Sequence, residues 1–245
     1  NNVTFNYGIA SGDPTNTNII LWTKVTPTFK KDVPIKWQLS ADKNFKNILN
    51  SGQVSAKYSN DFTVKVDVNV TNAFRGNKVF YRFLFNDTFS DTGITNTLPQ
   101  NNPDKYNIAF CSCSNHPAGY FNAYKDMAKN EDIDLVLHLG DYIYEYDKDG
   151  YATEDSERFN RVVDPKHEIV SLNDYRRRHA QYKSDLDLQE LHKSKPMIAV
   201  WDDHEFANDS WKYGAENHQN DEGFFQSRKV NAIKAYLEWM PIREN

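Results

Sequence analysis

Residues 106–145 read YNIAFCSCSNHPAGYFNAYKDMAKNEDIDLVLHLGDYIYE. Tyr106–Cys111 is a short apolar run suited to a strand. Tyr120–Lys129 follows with a helical stripe through Phe121, Tyr124, Met127 and Ala128. Ile133–Leu139 is then an apolar run, the pattern of a strand covered on both faces. Strand, helix, strand in this order is a βαβ unit, which implies a parallel pair and a right-handed crossover. Further on, the sequence predicts a long helical region over Leu172–His192, another buried strand over Pro196–Trp201 and a final helix over Gly223–Met240. An α/β core over residues 101–245 is the expectation.

Upstream the period changes. Ile19–Lys24, Ile35–Ser40, Phe62–Val70 and Lys78–Phe85 alternate or run apolar, with many β-branched and aromatic members. Gly12-Asp13-Pro14 and Ala41-Asp42-Lys43-Asn44 are turn material between them. Thr63–Val68 alternates strictly, as a strand with one wet face does. Residues 1–100 are therefore expected to form an all-β, immunoglobulin-like sandwich. The polar, proline-punctuated stretch Leu98–Asp104 separates the two regions.

The 245 residues carry a formal net charge of −5, so no basic face for nucleic acid is implied. Apolar residues at 39% and charged residues at 26% are ordinary for a globular chain, which argues against disorder. No stretch approaches the ~20 apolar residues of a membrane span. Cys111 and Cys113 are the two cysteines, and one intervening residue makes a mutual disulfide strained. The chain starts at Asn1 without Met, the sign of processing or trimming.

The chemistry concentrates at strand ends. The first predicted strand of the α/β region ends in Cys111-Ser112-Cys113-Ser114, the second in Gly140-Asp141-Tyr142-Ile143-Tyr144, the third in Asp202-Asp203-His204-Glu205. In open α/β sheets, ligands bind beyond the carboxyl ends of the strands, where these side chains would converge. Taken singly, Cys113 reads as a small core residue, Asp141 as a turn residue and Tyr144 as core. Four ionisable side chains in a row at 202–205 are costly unless something cationic gathers them. Together, a carboxylate can bridge two metals, a thiolate and a phenolate suit an oxidised iron, and a further carboxylate suits calcium or magnesium. Two metals can clamp a phosphoryl group, and a nearby histidine can assist the departing alkoxide.

These residues resemble a known family. Gly8-Ile-Ala-Ser-Gly-Asp-Pro14 with Leu21-Trp22-Thr23, Phe110-Cys-Ser-Cys113, His138-Leu-Gly-Asp-Tyr-Ile-Tyr-Glu145, Tyr175-Arg-Arg-Arg178 with Tyr182, and Val200-Trp-Asp-Asp-His-Glu205 resemble, in this order, the amino-terminal portion of a PhoD-type alkaline phosphatase. That family is a branch of the calcineurin-like metallophosphoesterases. The resemblance covers Phe5 to Asn245.

It implies an α/β metallophosphoesterase core, incomplete here, behind the sandwich, and a metal-dependent hydrolase of phosphate monoesters or diesters. Cys113 and Tyr144 would hold Fe(III), with Asp141 bridging to Ca(II) or another divalent ion. Asp203 stands where relatives have a metal-binding Asn, and His204 aligns with a catalytic histidine. Asp202 and Glu205 are candidates for orienting those groups. A secreted, periplasmic or cell-surface location is implied. Ser114 departs from the Gln often found there. The family continues past Trp239-Met-Pro-Ile-Arg243 with further ligands, so a carboxy-terminal segment of the same protein, or a second chain, is expected as partner. Two competing readings are a non-catalytic binding module that keeps the fold and a purple acid phosphatase. The latter calls for a carboxylate where Cys113 stands.

Overall fold

The computed structural model describes residues 2–244. Its first ten strands are β1 (Val3–Thr4), β2 (Ile9–Gly12), β3 (Asn18–Lys24), β4 (Thr26–Pro27), β5 (Val33–Ser40), β6 (Ile48–Ala56), β7 (Thr63–Asn69), β8 (Val79–Phe85), β9 (Thr88–Phe89) and β10 (Gly93–Thr95). Then come β11 (Ile108–Cys111), α1 (Asn122–Lys129), β12 (Leu135–His138), α2 (Leu172–Lys183), α3 (Leu186–Ser194), β13 (Met197–Ala199) and α4 (Phe225–Trp239).

Two sheets dominate. One runs β10-β8-β5-β6 with β9 on β8, all antiparallel. The other runs β11-β12-β13-β2-β3-β7. Its β11-β12-β13-β2 pairings are parallel, and β2-β3-β7 are antiparallel. Alternate residues of the first sheet (Val33, Ile35, Leu39, Val79, Tyr81, Phe83) meet Ile19, Leu21, Val64 and Val68 of the second in one apolar core. A sandwich thus occupies the amino-terminal region, and one of its layers continues as the α/β sheet. The two regions share a sheet, which the separator at 98–104 does not suggest. β2 is the join: Met197 pairs with Gly12, where an added Cβ would sit 2.1 Å from the Pro241 carbonyl oxygen.

The βαβ order over residues 106–139 appears as β11-α1-β12 with a parallel ladder. The long helix expected over Leu172–His192 is broken into α2 and α3. The reason is local: the Asp185 carboxylate accepts from the Asp187 and Leu188 amides and starts a new helix. α4 is held by Trp22, whose indole N–H donates to the Glu238 carbonyl at 2.8 Å, and by a two-pronged Arg176–Glu238 ion pair.

The strands expected to be covered on both faces are covered on one. Val136 and Met197 lie in the core with Tyr124, Leu188 and Leu191. On the opposite face Phe110, Leu137 and Ile198 align across β11, β12 and β13. There Phe110 is 71% exposed, and Ile108, Leu139 and Val200 are exposed beside it.

Candidate metal centre

The carboxyl ends of β11, β12 and β13 lead into three loops stitched by their own backbones. The Cys113 amide donates to the Gly140 carbonyl at 3.2 Å and the Ser114 amide to that of Asp141 at 3.0 Å. Both Cys113 (φ 58°) and Asp141 (φ 53°) occupy the left-handed region. Non-glycine residues there carry strain that marks sites where the surroundings fix a side-chain direction. Gly140 (φ 105°) permits the third strand's approach, because a Cβ on it would lie 2.5 Å from that of Asp202.

The five sequence-derived candidates meet here. The Cys113 thiol and the Tyr144 hydroxyl each donate to Asp141 Oδ2 at 3.4 Å. Asp141, Asp203 and His204 each place a donor atom within 4.8 Å of the other two. Tyr144 stacks on His204, ring centroids 4.3 Å apart. Asp203 lies at the rim, where its carboxylate accepts from the Asp209 amide.

Two glutamates organise the rest. Glu205, 1% exposed, accepts from the amides of Asp141 (3.1 Å), Asp202 (2.7 Å) and Tyr142, so one carboxylate ties the second loop to the third. Asp202 does less: it is exposed and accepts from the next amide, that of Asp203. Glu145 is a site residue that the sequence reading does not single out. It is fully buried, and its Oε2 receives His204 Nδ1 at 2.8 Å. Its Oε1 accepts from the Asn208 amide and the Asn217 side chain. The available signal was a carboxylate among Tyr144 and Tyr146, which is costly to bury without a partner.

Electrostatically the cluster is overloaded with acids. Burial pushes the Asp141 carboxyl above its ordinary range; His204 and the Cys113 hydrogen bond oppose this, while the Asp203 and Asp202 charges add to it. Burial pushes Glu205 up to about 7 against its three N–H donors. Burial, with the Asp141 charge, also drives the Tyr144 phenol well up. Burial pulls the His204 imidazole down, but Glu145, Asp141 and Asp203 outweigh it and hold it above the usual value. Asp141 Oδ1 is buried without a hydrogen-bond partner among the described residues. With Oδ2 taking the thiol and the phenol and further acids close by, the unpartnered Oδ1 is suited to a cation. The residues present fit a metal.

A family model described as PhoD-like phosphatase matches residues 108–245, and one described as PhoD-like phosphatase, N-terminal domain, matches residues 1–99. The chain belongs to the PhoD-like phosphatase family. It is 40% identical to alkaline phosphatase D of Bacillus subtilis (strain 168) over 249 aligned residues, 98% of this chain and 41% of that protein. Among solved structures, one titled Structure of PhoD superposes with a TM-score of 0.86 at 37% identity, covering 98% of this chain and 46% of that one. The chain thus spans under half the length of these PhoD relatives.

Proposed function

We propose that this chain supplies the first part of the metal site of a phosphoester hydrolase. The observation that carries the reading is the convergence of Cys113, Tyr144, Asp203 and His204 on a strained, buried Asp141 with an orphaned oxygen. Cys113 and Tyr144 would hold Fe(III), Asp141 would bridge, and Asp203 would take Ca(II) or another divalent ion. When bound, the metals supply positive charge that neutralises the phosphoryl oxygens and acidifies water.

The chain's own residues provide the proton handling. Glu145 engages His204 Nδ1, which leaves Nε2 as the nitrogen that can give a proton to the departing oxygen. Tyr144 and Tyr146 flank the imidazole and restrict its tilt. Glu205 keeps Asp141 and Asp203 in register by holding the two loops together.

The remaining ligands would come from a segment that follows in the same polypeptide, or from a second chain. The bare face of Ile108, Phe110, Leu139 and Val200 is the surface such a segment would cover. Among the described residues no helix is long and apolar enough to cross a membrane. An extracytoplasmic location belongs to the same reading and is open to cell fractionation.

The test is metal content and colour. The complete protein carrying this chain is expected to bind iron with a divalent ion, hydrolyse phosphate esters and show a visible phenolate-to-iron band. Tyr144→Phe is expected to abolish that band while the fold persists. A colourless, metal-free but folded protein would support the binding-module reading instead. The purple acid phosphatase reading has no support at Cys113, where it requires a carboxylate.

A further inference from the structure

Two cavities flank the acidic cluster, and they differ in charge. On the Asp203 side, a cavity of about 380 Å³ is lined by Lys212 and Lys229 as well as by Asp202 and Asp203. On the Cys113 side, a cavity of about 440 Å³ is walled by Tyr120, Phe121, Tyr124, Tyr144 and Tyr151 and, among the described residues, has no Lys, Arg, His, Asp or Glu in its lining. Gly119 leaves open space at the lining, since an added Cβ there would meet nothing within 4 Å. Behind the Tyr120 and Phe121 rings lies Arg161, but its guanidinium is paired with Asp185 at 2.6 Å and with the His116 carbonyl. Arg161 is not itself among the lining residues.

Two of the walls stand in solvent. Tyr120 is 59% exposed and packs edge-on against Phe159; Tyr151 is 65% exposed and stacks at 6.5 Å on Tyr144. Exposed aromatics that leave an uncharged slot between them suit a flat apolar group. Cys113 and Tyr144 belong both to this lining and to the contacts of Asp141, so the slot opens directly on the cluster.

We propose that this cavity takes the organic arm of the ester and selects a flat, uncharged arm, an aryl or heteroaryl group, over one bearing a second anion. Beyond the metals that would engage the phosphoryl group, no cationic side chain of the described lining can offset the desolvation of a second anionic group, whereas either exposed tyrosine can stack on a ring. The inference rests on the phosphoester reading above and deepens it.

The test is titration calorimetry on the complete metal-loaded protein with methylphosphonate, phenylphosphonate and 4-carboxyphenylphosphonate, which are not hydrolysed. Phenylphosphonate is expected to bind more tightly than the other two. Tyr151→Ala and Tyr120→Ala are each expected to weaken phenylphosphonate by roughly two- to tenfold and to leave methylphosphonate unchanged. Equal binding of the phenyl and carboxyphenyl compounds, or tyrosine variants that shift neither or both ligands alike, would overturn the proposal. Failure of methylphosphonate itself to bind would overturn the phosphoester reading instead.

Discussion

Asp141→Asn is expected to lower phosphoester hydrolysis by the complete protein roughly 10³-fold or more, because it removes the carboxylate that both metals would share. The two side chains are nearly isosteric, so the backbone can keep its course. One anionic group also leaves a site where burial and the Asp203 and Asp202 charges already disfavour it. Stability of the metal-free variant should therefore hold or rise while metal content and activity collapse. Elemental analysis, a hydrolysis assay and thermal unfolding on the same preparation separate those effects. A variant that loses activity only because it unfolds would show Asp141 to be structural.

The second large effect concerns Glu205. Its carboxylate satisfies three backbone N–H groups in a place that water does not reach. Leaving one buried donor unpaired costs about 1–3 kcal/mol, and a shared loop can relax to recover part of the total. Glu205→Ala is accordingly expected to lose about 3–5 kcal/mol of unfolding free energy, a large share of the ~5–15 kcal/mol typical of a folded domain. Glu205→Gln keeps an acceptor oxygen and should lose distinctly less. Urea denaturation with both variants gives the comparison, and equal losses would contradict the assignment of Glu205 as the tie between loops.

Much of this was legible in the sequence, and the reasons are physical. Period-2 alternation at Thr63–Val68 and the apolar run Ile133–Leu139 report backbone state directly, since the facing side chains differ in burial. Strand ends that carry Cys113, Asp141 and Asp203 place those residues at one rim once the strands are parallel and adjacent. What the sequence did not expose was pairing between distant segments. Nothing in Ile9–Gly12 announces that it continues the sheet of residues 108–199, because register between segments is a tertiary property. The split between α2 and α3 depended on Asp185 acting as a cap, a choice that competes with an otherwise helical pattern. Glu145 was missed because its importance lies in a contact with His204, 59 positions away. The apolar run Ile133–Leu139 predicts cover on both faces, while Leu139 lies exposed beside Phe110; the pattern records a need for cover, not its source.

The most direct measurement is anomalous X-ray diffraction from the complete metal-loaded protein, with data collected on either side of the iron edge. An iron peak within coordination distance of Cys113, Tyr144 and Asp141, with a second metal between Asp141 and Asp203, is the expected result. Iron bound elsewhere, or a site that leaves the Cys113 sulfur and the Asp141 carboxylate without metal contact, would contradict the account.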